Sequence, residues 1–495
     1  MNVLELTIST FHDALRQQIT SCAAVVHAYL DRIAHHDPTL KTLIAINPKA
    51  LAIATEKDKE STQFLQNGIP FPPLHGVPII LKDNYTTYDL PTSAGVAALR
   101  TLRSTDSAIV HHLRTAGAII LAKANLHEFA LHGTTTSSLG GQARNPYDLT
   151  RTPGGSSGGT AAALAANLGL VGCGTDTMNS LRSPSSACAV VGFRPSKGNV
   201  SQKGIVPVSV TQDMAGPMGR TVGDVRILYE VMRHGNGGTP MAVYAWGVLE
   251  TYFKLEEKNP DLPKKVILEN ELVQKIVHTA LKTIEANDAD IELVSIDSSC
   301  YDWSLTTLLT TVDTQPFEFK DCLEQFLQSP EISSPYHTLQ SIIESGEYDM
   351  NAVTDVFYAS LKDPTTYSRT SAEYKTRLEK VAKLKQSVQS CFNENILDAL
   401  VYPHQRQLAI EIGPTIQPRR NGVLAALTGN PAVCLPAGFS PPTASAPLGV
   451  PIGLELMGRH GCDEELLSLA ERVEGILRVR RPPDLSMIHR QVKSQ

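Results

Sequence analysis

Lys82 stands at the end of an apolar run, Val77 to Leu81, and is followed at once by Asp83 and Asn84. An ammonium group is costly to bury, and burial lowers a lysine's pKa until the amine can be neutral and accept a proton. Two serines sit where such a base would be useful. Ser156 lies in Gly154-Gly155-Ser156-Ser157-Gly158-Gly159, a glycine-flanked turn that opens a run of small residues. Ser180 follows Gly172-Cys173-Gly174-Thr175-Asp176-Thr177-Met178-Asn179, a tight approach where successive backbone N–H groups can converge. A serine hydroxyl needs a base to become a nucleophile, and lysine can serve in place of histidine. Attack on a carbonyl creates an oxyanion, which preorganised backbone amides stabilise. Together these parts make an acyl-transfer site. Taken singly they have plainer readings: a surface lysine at a strand end, a helix N-cap and an ordinary turn residue.

Other chemistries fit less well. His127-Glu128 followed by His132 resembles a zinc-binding HExxH helix, but the second histidine comes one residue late. On a helix, side chains five apart point about 140° away from each other and do not share a metal. His35-His36 and His111-His112 are adjacent pairs that read as solvated. The glycine-rich turn lacks the lysine of a phosphate-binding GxxxxGK[ST], and no GxGxxG follows a strand-like run. Neither a metal nor an organic cofactor is expected. Cys22, Cys173, Cys188, Cys300, Cys322, Cys391, Cys434 and Cys462 show no CxxC spacing and read as reduced, mostly buried thiols.

The elements that position these residues follow from pattern. Val26, Tyr29, Leu30 and Ile33 fall at helical spacing, with Asp37-Pro38 ending the run. Val77–Leu81 reads as a short strand that Pro78 bends or places at an edge. A helix around Ile109–Leu113 and a buried strand Ala118–Ala122 follow, an alternation that fits layered α/β folds. Between Gly133 and Gly198 lie 12 of the 34 glycines, and such crowding suggests unusual φ/ψ or close backbone approach. Thr370 and Glu373 form a capping box for a helix bearing Tyr374, Leu378, Val381 and Leu384. Segments 398–403, 430–439 and 450–459 read as returning core strands.

Composition bounds the partners. The chain has 495 residues, 42% hydrophobic and 19% charged, the latter below the roughly 25% usual for soluble domains. A net charge of −6 without a basic block argues against nucleic acid. The N-terminal MNVLELTIST lacks the regions of a secretory signal, and the small-apolar run Ala161–Gly174 is shorter than the ~20 residues of a membrane span. A cytoplasmic protein without membrane contact is expected.

The stretch from Leu74 to Lys197 resembles the amidase signature family of serine hydrolases. The matching pieces are HGVPIILKDN (75–84), AKANLHEFA (122–130), ARNPYDLTRTPGGSSGGTAAALAA (143–166), GTDTMNSLRSPSSACAVVGFRPS (174–196) and G-x-V-P (204–207). AYLDRI…DP near the start, and TGNPAVCLPAGF and GVPIGLELMGR near the end, are similar in the same order. The likeness is thin only between about 240 and 400. It implies an α/β/α sandwich around one large, mostly parallel mixed sheet. A single domain over 1–495 is implied, with a catalytic core at about 70–225, a variable substrate-pocket region at about 235–400 and core strands at about 398–480.

By the same resemblance Lys82 is the catalytic lysine, Ser156 the bridging serine after a cis peptide, and Ser180 the nucleophile. The backbone N–H groups of Thr177, Met178, Asn179 and Ser180 form the oxyanion hole, Asp176 and Arg182 support the turn, and Gly133, Thr134 and Thr135 lie beside the substrate. Tyr301, Trp303, Phe317 and Phe319 are candidates to wall an acyl pocket, with core packing the plainer role. One departure stands out: Met178-Asn179 replace two glycines usual in the family, and glycine there would serve positive φ or room. The function implied is hydrolysis of a small-molecule amide, in a chain that can self-associate as a homodimer. The alternatives are an esterase, an amide-forming acyl-transfer enzyme, a glutamine amidotransferase A-type subunit, or a binding homologue that has lost activity.

Overall fold

The structure is a computed structural model that describes residues 2–233, 244–255, 262–297, 301–353, 355–414 and 416–486. Cys300, the start of the variable region at 235–243 and the C-terminal RQVKSQ lie outside them.

Eleven strands form one sheet: β1 (Leu43–Ile46), β2 (Pro78–Lys82), β3 (Ile119–Ala124), β4 (Val171–Asp176), β5 (Val191–Arg194), β6 (Met214–Gly219), β7 (Tyr244–Leu249), β8 (Ile291–Ile296), β9 (Ala399–Pro403), β10 (Ala432–Phe439) and β11 (Pro451–Gly458). Their order is β1-β3-β2-β4-β6-β5-β10-β11-β9-β7-β8. The sheet is mixed. Parallel ladders fall in two blocks, β3-β2-β4 and β9-β7-β8, and antiparallel ladders join and flank them. Helices cover both faces. Gly453 and Gly458 of β11 are five apart and so face opposite ways. A Cβ on Gly453 would lie 2.6 Å from Ser186 of helix Arg182–Cys188, and one on Gly458 would lie 3.3 Å from Leu466 of helix Asp463–Leu477.

The apolar runs explain the centre. All five residues of β2 and all six of β3 and β4 are buried, as strands covered on both faces require. The β2–β4 ladder pairs Leu81 with Cys173, so Lys82 and the Thr175-Asp176 pair emerge at the same carboxyl-terminal edge. That edge is where open α/β sheets commonly bind ligands.

Several elements depart from the sequence reading. Pro78 opens a central strand rather than an edge one, its missing N–H falling at the first position, where no ladder bond is lost. Pro38 does not end its helix, which runs Cys22–Leu40 until Lys41 takes a left-handed conformation. The cap of helix Ala372–Glu394 is Ser371, whose side chain accepts from the Tyr374 N–H at 3.1 Å, and not Thr370. The middle of the chain also contributes to the sheet. It supplies β7, helix Lys264–Asn287 and β8, a parallel crossover unit at the sheet's edge. Residues from 317 to 357 also build a second apolar cluster over Leu126, Phe129 and Leu131, with Phe129 and Phe319 rings 5.7 Å apart. Trp303, Phe317 and Phe319 are buried in packing, and Tyr301 stacks on Trp303 at 4.4 Å. These aromatics are core.

Gly453→Val would press three extra carbons into the helix that carries Arg182, where overpacking costs about 1–3 kcal/mol. A lower melting temperature is expected; an unchanged melting curve would show that this face has slack.

Candidate active site

Lys82 is fully buried at the end of β2. Its Nζ lies 2.7 Å from Ser156 Oγ, 2.7 Å from Thr175 Oγ1 and 3.4 Å from the Thr175 carbonyl. Burial pushes its pKa from 10.5 down to about 7, against the upward pull of Asp176 and Asp213. Lys123, also buried and at the neighbouring strand end, shows the contrasting case: it meets the Asp83 carboxylate at 2.9 Å. Lys82 is met by hydroxyls, Lys123 by a carboxylate.

The Ser156 loop is held from three sides. The Gly155–Ser156 peptide is cis. Ser157 Oγ donates to the Thr175 carbonyl at 3.1 Å and accepts from the Thr175 N–H at 3.2 Å, which fastens the loop to β4. Thr135 Oγ1 donates to the Gly154 carbonyl at 2.7 Å and accepts from the Gly158 N–H at 3.1 Å. A Cβ on Gly155 would sit 2.8 Å from Thr135 Oγ1 and 2.9 Å from the Gly133 carbonyl carbon, so this approach requires glycine. Thr134 Oγ1 is 3.1 Å from His127 Nδ1. The Thr135 hydroxyl is thus taken up in shaping the loop, and that of Thr134 faces His127. Ser156 is not the N-cap of the following helix, Gly158–Ala165; that position belongs to Ser157.

The segment after β4 has an unusual hydrogen-bond asymmetry. Its four carbonyls are all occupied. Thr177 O accepts from Gln212 Nε2 at 3.4 Å, Met178 O from Arg182 Nη2 at 2.9 Å, Asn179 O from the Ser183 N–H at 2.8 Å and Ser180 O from the Ser157 N–H at 3.3 Å. The four N–H groups of the same residues bond to no described residue. Buried N–H groups are seldom left so, and a run of them is a ready cradle for an anion. Neither Met178 nor Asn179 has positive φ, so no left-handed backbone calls for glycine at either position. Ser180 is 7% exposed, and its Oγ bonds to no described residue.

Buried charges fix this segment. Asp176 receives Arg182 Nε at 3.1 Å and Nη2 at 3.2 Å, Arg194 Nη1 at 3.0 Å and the Leu181 N–H at 3.1 Å. Although burial raises its pKa, the two guanidiniums prevail and hold it near 2. Arg182 also bonds Glu455, which in turn meets His404 Nδ1 at 2.5 Å and Tyr402 Oη at 3.1 Å.

Sequence reasoning missed Thr175, Asn84 and Arg420. Thr175 shares the lysine's amine and accepts from Asn84 Nδ2 at 3.0 Å. Asn84 lies two residues after Lys82, and Thr175 directly precedes Asp176, so local position was the available signal. Arg420 Nη1 donates to Asn179 Oδ1 at 2.9 Å across 241 residues, and no local pattern announces it. The HExxH-like segment is not helical: Phe129 and Ala130 both have positive φ, and the His127 and His132 rings meet edge-on at 5.6 Å. Among the described residues no three His, Cys, Asp or Glu side chains are grouped to hold a metal, and no helix is long and apolar enough to cross a membrane.

The Amidase family model matches residues 24–467. A probable amidase of Arabidopsis thaliana is 30% identical over 499 residues, covering 97% of this chain and 92% of its own length. The A-type subunit of a glutamyl-tRNA(Gln) amidotransferase from Geobacter sp. (strain M21) is 29% identical over 493 residues, covering 96% and 98%. The solved peptide amidase of Stenotrophomonas maltophilia superposes with a TM-score of 0.79 at 26% identity, covering 97% of this chain and 98% of that one.

Asp176→Ala would leave Arg182 and Arg194 buried around a missing carboxylate, a loss of about 3–5 kcal/mol when a buried pair is broken. A melting temperature many degrees lower, or insoluble protein, is expected. Wild-type stability would mean that the network does not carry this segment.

Proposed function

The chain belongs to the Amidase family, and on that premise we propose that it hydrolyses amides through an acyl-enzyme on Ser180, with Lys82 and Ser156 as the proton relay. The observation that carries this reading is the 2.7 Å contact between a fully buried amine and Ser156 Oγ, beside four unpaired N–H groups. Neutral Lys82 takes the Ser156 proton while Ser156 takes that of Ser180, and Ser180 Oγ bonds to the carbonyl carbon. The oxyanion settles among the N–H groups of Thr177 to Ser180, where preorganised donors lower the barrier by about 2.7–4 kcal/mol apiece. The relay then reverses: Ser156 protonates the leaving amine, the C–N bond breaks and an ester on Ser180 remains. Water repeats the sequence to release the acid. The Ser156–Ser180 link closes as substrate binds, since catalytic hydrogen bonds in unliganded sites are often long and tighten on binding.

A second reading is amide transfer, in which the same acyl-enzyme serves a partner protein by releasing ammonia from glutamine. It is favoured by the near full-length match to the Geobacter amidotransferase. Ammonia released from simple amides by the isolated chain supports hydrolysis; release from glutamine alone supports transfer.

A fluorophosphonate probe with intact-mass readout is expected to label the wild type and not Ser180→Ala. An unlabelled, well-folded wild type would leave only a binding role. Lys82→Ala is expected to slow labelling about 10³-fold, as loss of a general base typically does.

The pH dependence has a definite sign. Lys82 deprotonates at about 7 in the folded chain, against an ordinary value of 10.5. Labelling should therefore rise with pH and level off above about 7. Between about pH 7 and 10.5 the unfolded chain holds this proton and the folded one does not, so this group's contribution to stability grows as pH rises through that window. A labelling rate flat from pH 5 to 9 would remove the lysine from the relay.

A further inference from the structure

One cation in the site lacks a counter-ion. Arg182 and Arg194 share Asp176, and Arg182 also holds Glu455, so those charges are matched. Arg420 has no ion-pair partner among the described residues; its side-chain bond is the one from Nη1 to Asn179 Oδ1 at 2.9 Å. The guanidinium is desolvated enough to draw its pKa down to about 10, which still leaves it charged at neutral pH. One glycine makes room for it: a Cβ on Gly133 would lie 2.5 Å from Arg420 Nη1. Gly133 in turn borders Gly155 of the Ser156 loop. The cation therefore sits between that loop and the residue preceding the proposed nucleophile.

A second group beside it is also unsatisfied. Asn179 is 1% exposed, its Oδ1 is taken by Arg420, and its Nδ2 is buried with no partner. A buried amide donor left empty is costly, and a half-buried guanidinium with no anion in contact lacks charge compensation. Both defects are removed by one kind of group. A carboxylate accepts only, carries the missing charge and can bridge a guanidinium and an amide N–H.

We propose that Arg420 and the Asn179 side-chain amide bind a free carboxylate of the substrate. The preferred amides are then short dicarboxylic acid monoamides, with the carboxylate a few bonds from the scissile carbonyl. The short distance follows from Asn179 being the residue next to Ser180, consecutive Cα atoms lying about 3.8 Å apart. The Asn179 departure from the family's glycine thereby gains a role, in selectivity. This rests on the amide-hydrolase reading of the same site.

Malonamate, succinamate and glutaramate, each against a neutral amide of matched chain length, are the probes. They would be compared by titration calorimetry and by kcat/KM on wild type, Arg420→Met, Arg420→Lys and Asn179→Asp. At least one monoamide is expected to be favoured tenfold or more over its neutral partner, about 1.4 kcal/mol. Arg420→Met should remove that ratio, and Arg420→Lys should retain part of it. Asn179→Asp changes little in shape but supplies Arg420 with an internal counter-ion, so it too should abolish the preference. Equal binding of charged and neutral amides, or a preference that survives Arg420→Met and Asn179→Asp, would overturn the proposal. Probe labelling of Ser180, run in parallel, separates the two claims. Labelled Ser180 without a carboxylate preference sinks the anion site alone. Arg420-dependent succinamate binding in a chain whose Ser180 never reacts supports the anion site and removes the hydrolase reading.

Discussion

An amine buried among hydroxyls, with no carboxylate in contact, is the constraint around which the site is organised. A lysine in that setting loses its hydration and gains no full counter-charge, so its neutral form is stabilised. Three features maintain the condition. The run Pro78–Lys82 is central in the sheet and dry on both faces. Thr175 and Ser156 supply neutral oxygen partners. Asp176, the anion that pulls most on the lysine's pKa, is engaged by two arginines and so is kept from pairing with it. Were Asp176 free to reach Nζ, Lys82 would gain a carboxylate in contact, as Lys123 has in Asp83, and its charged form would be favoured.

The arginine–carboxylate network also decides the shape of the loop that follows. Arg182 reaches back to the Met178 carbonyl while holding Asp176, and Ser157 and Ser183 capture the next carbonyls. With every C=O turned into the protein, the N–H groups between 177 and 180 are left without partners among the described residues. Side-chain identity at 178 and 179 is secondary to this, because the backbone there needs no left-handed residue. The departure from glycine therefore changes what lines the site more than how the cradle is built.

Much of this was legible in the sequence because the signals were local. An apolar run that ends in lysine, a doubled-glycine serine turn and a tight turn before Ser180 each lie within a dozen residues. The strands β2 and β3 were visible for the same reason. What failed depended on tertiary context. Pro78 read as an edge marker, yet it occupies the one strand position where its missing N–H is harmless. Thr135, read beside the substrate, has its hydroxyl on the Ser156 loop, a bond no local pattern announces. The HExxH test assumed a helix that two positive-φ residues, Phe129 and Ala130, prevent. Arg420 was invisible, since its partner lies far away in sequence and its neighbours are ordinary loop residues. The strands β7 and β8 were not anticipated, since among the described residues they pair with each other and with β9, distant from the motif-bearing strands.

The protonation state of Lys82 is the quantity on which the whole account turns, and it can be read without any substrate. Lysine labelled with ¹³C at Cε, with Lys82→Ala supplying the assignment, would give a titration curve for that one amine by NMR. The account predicts a midpoint near neutrality, far below those of the surface lysines. A Lys82 signal that stays fully protonated to pH 9 or beyond would contradict it.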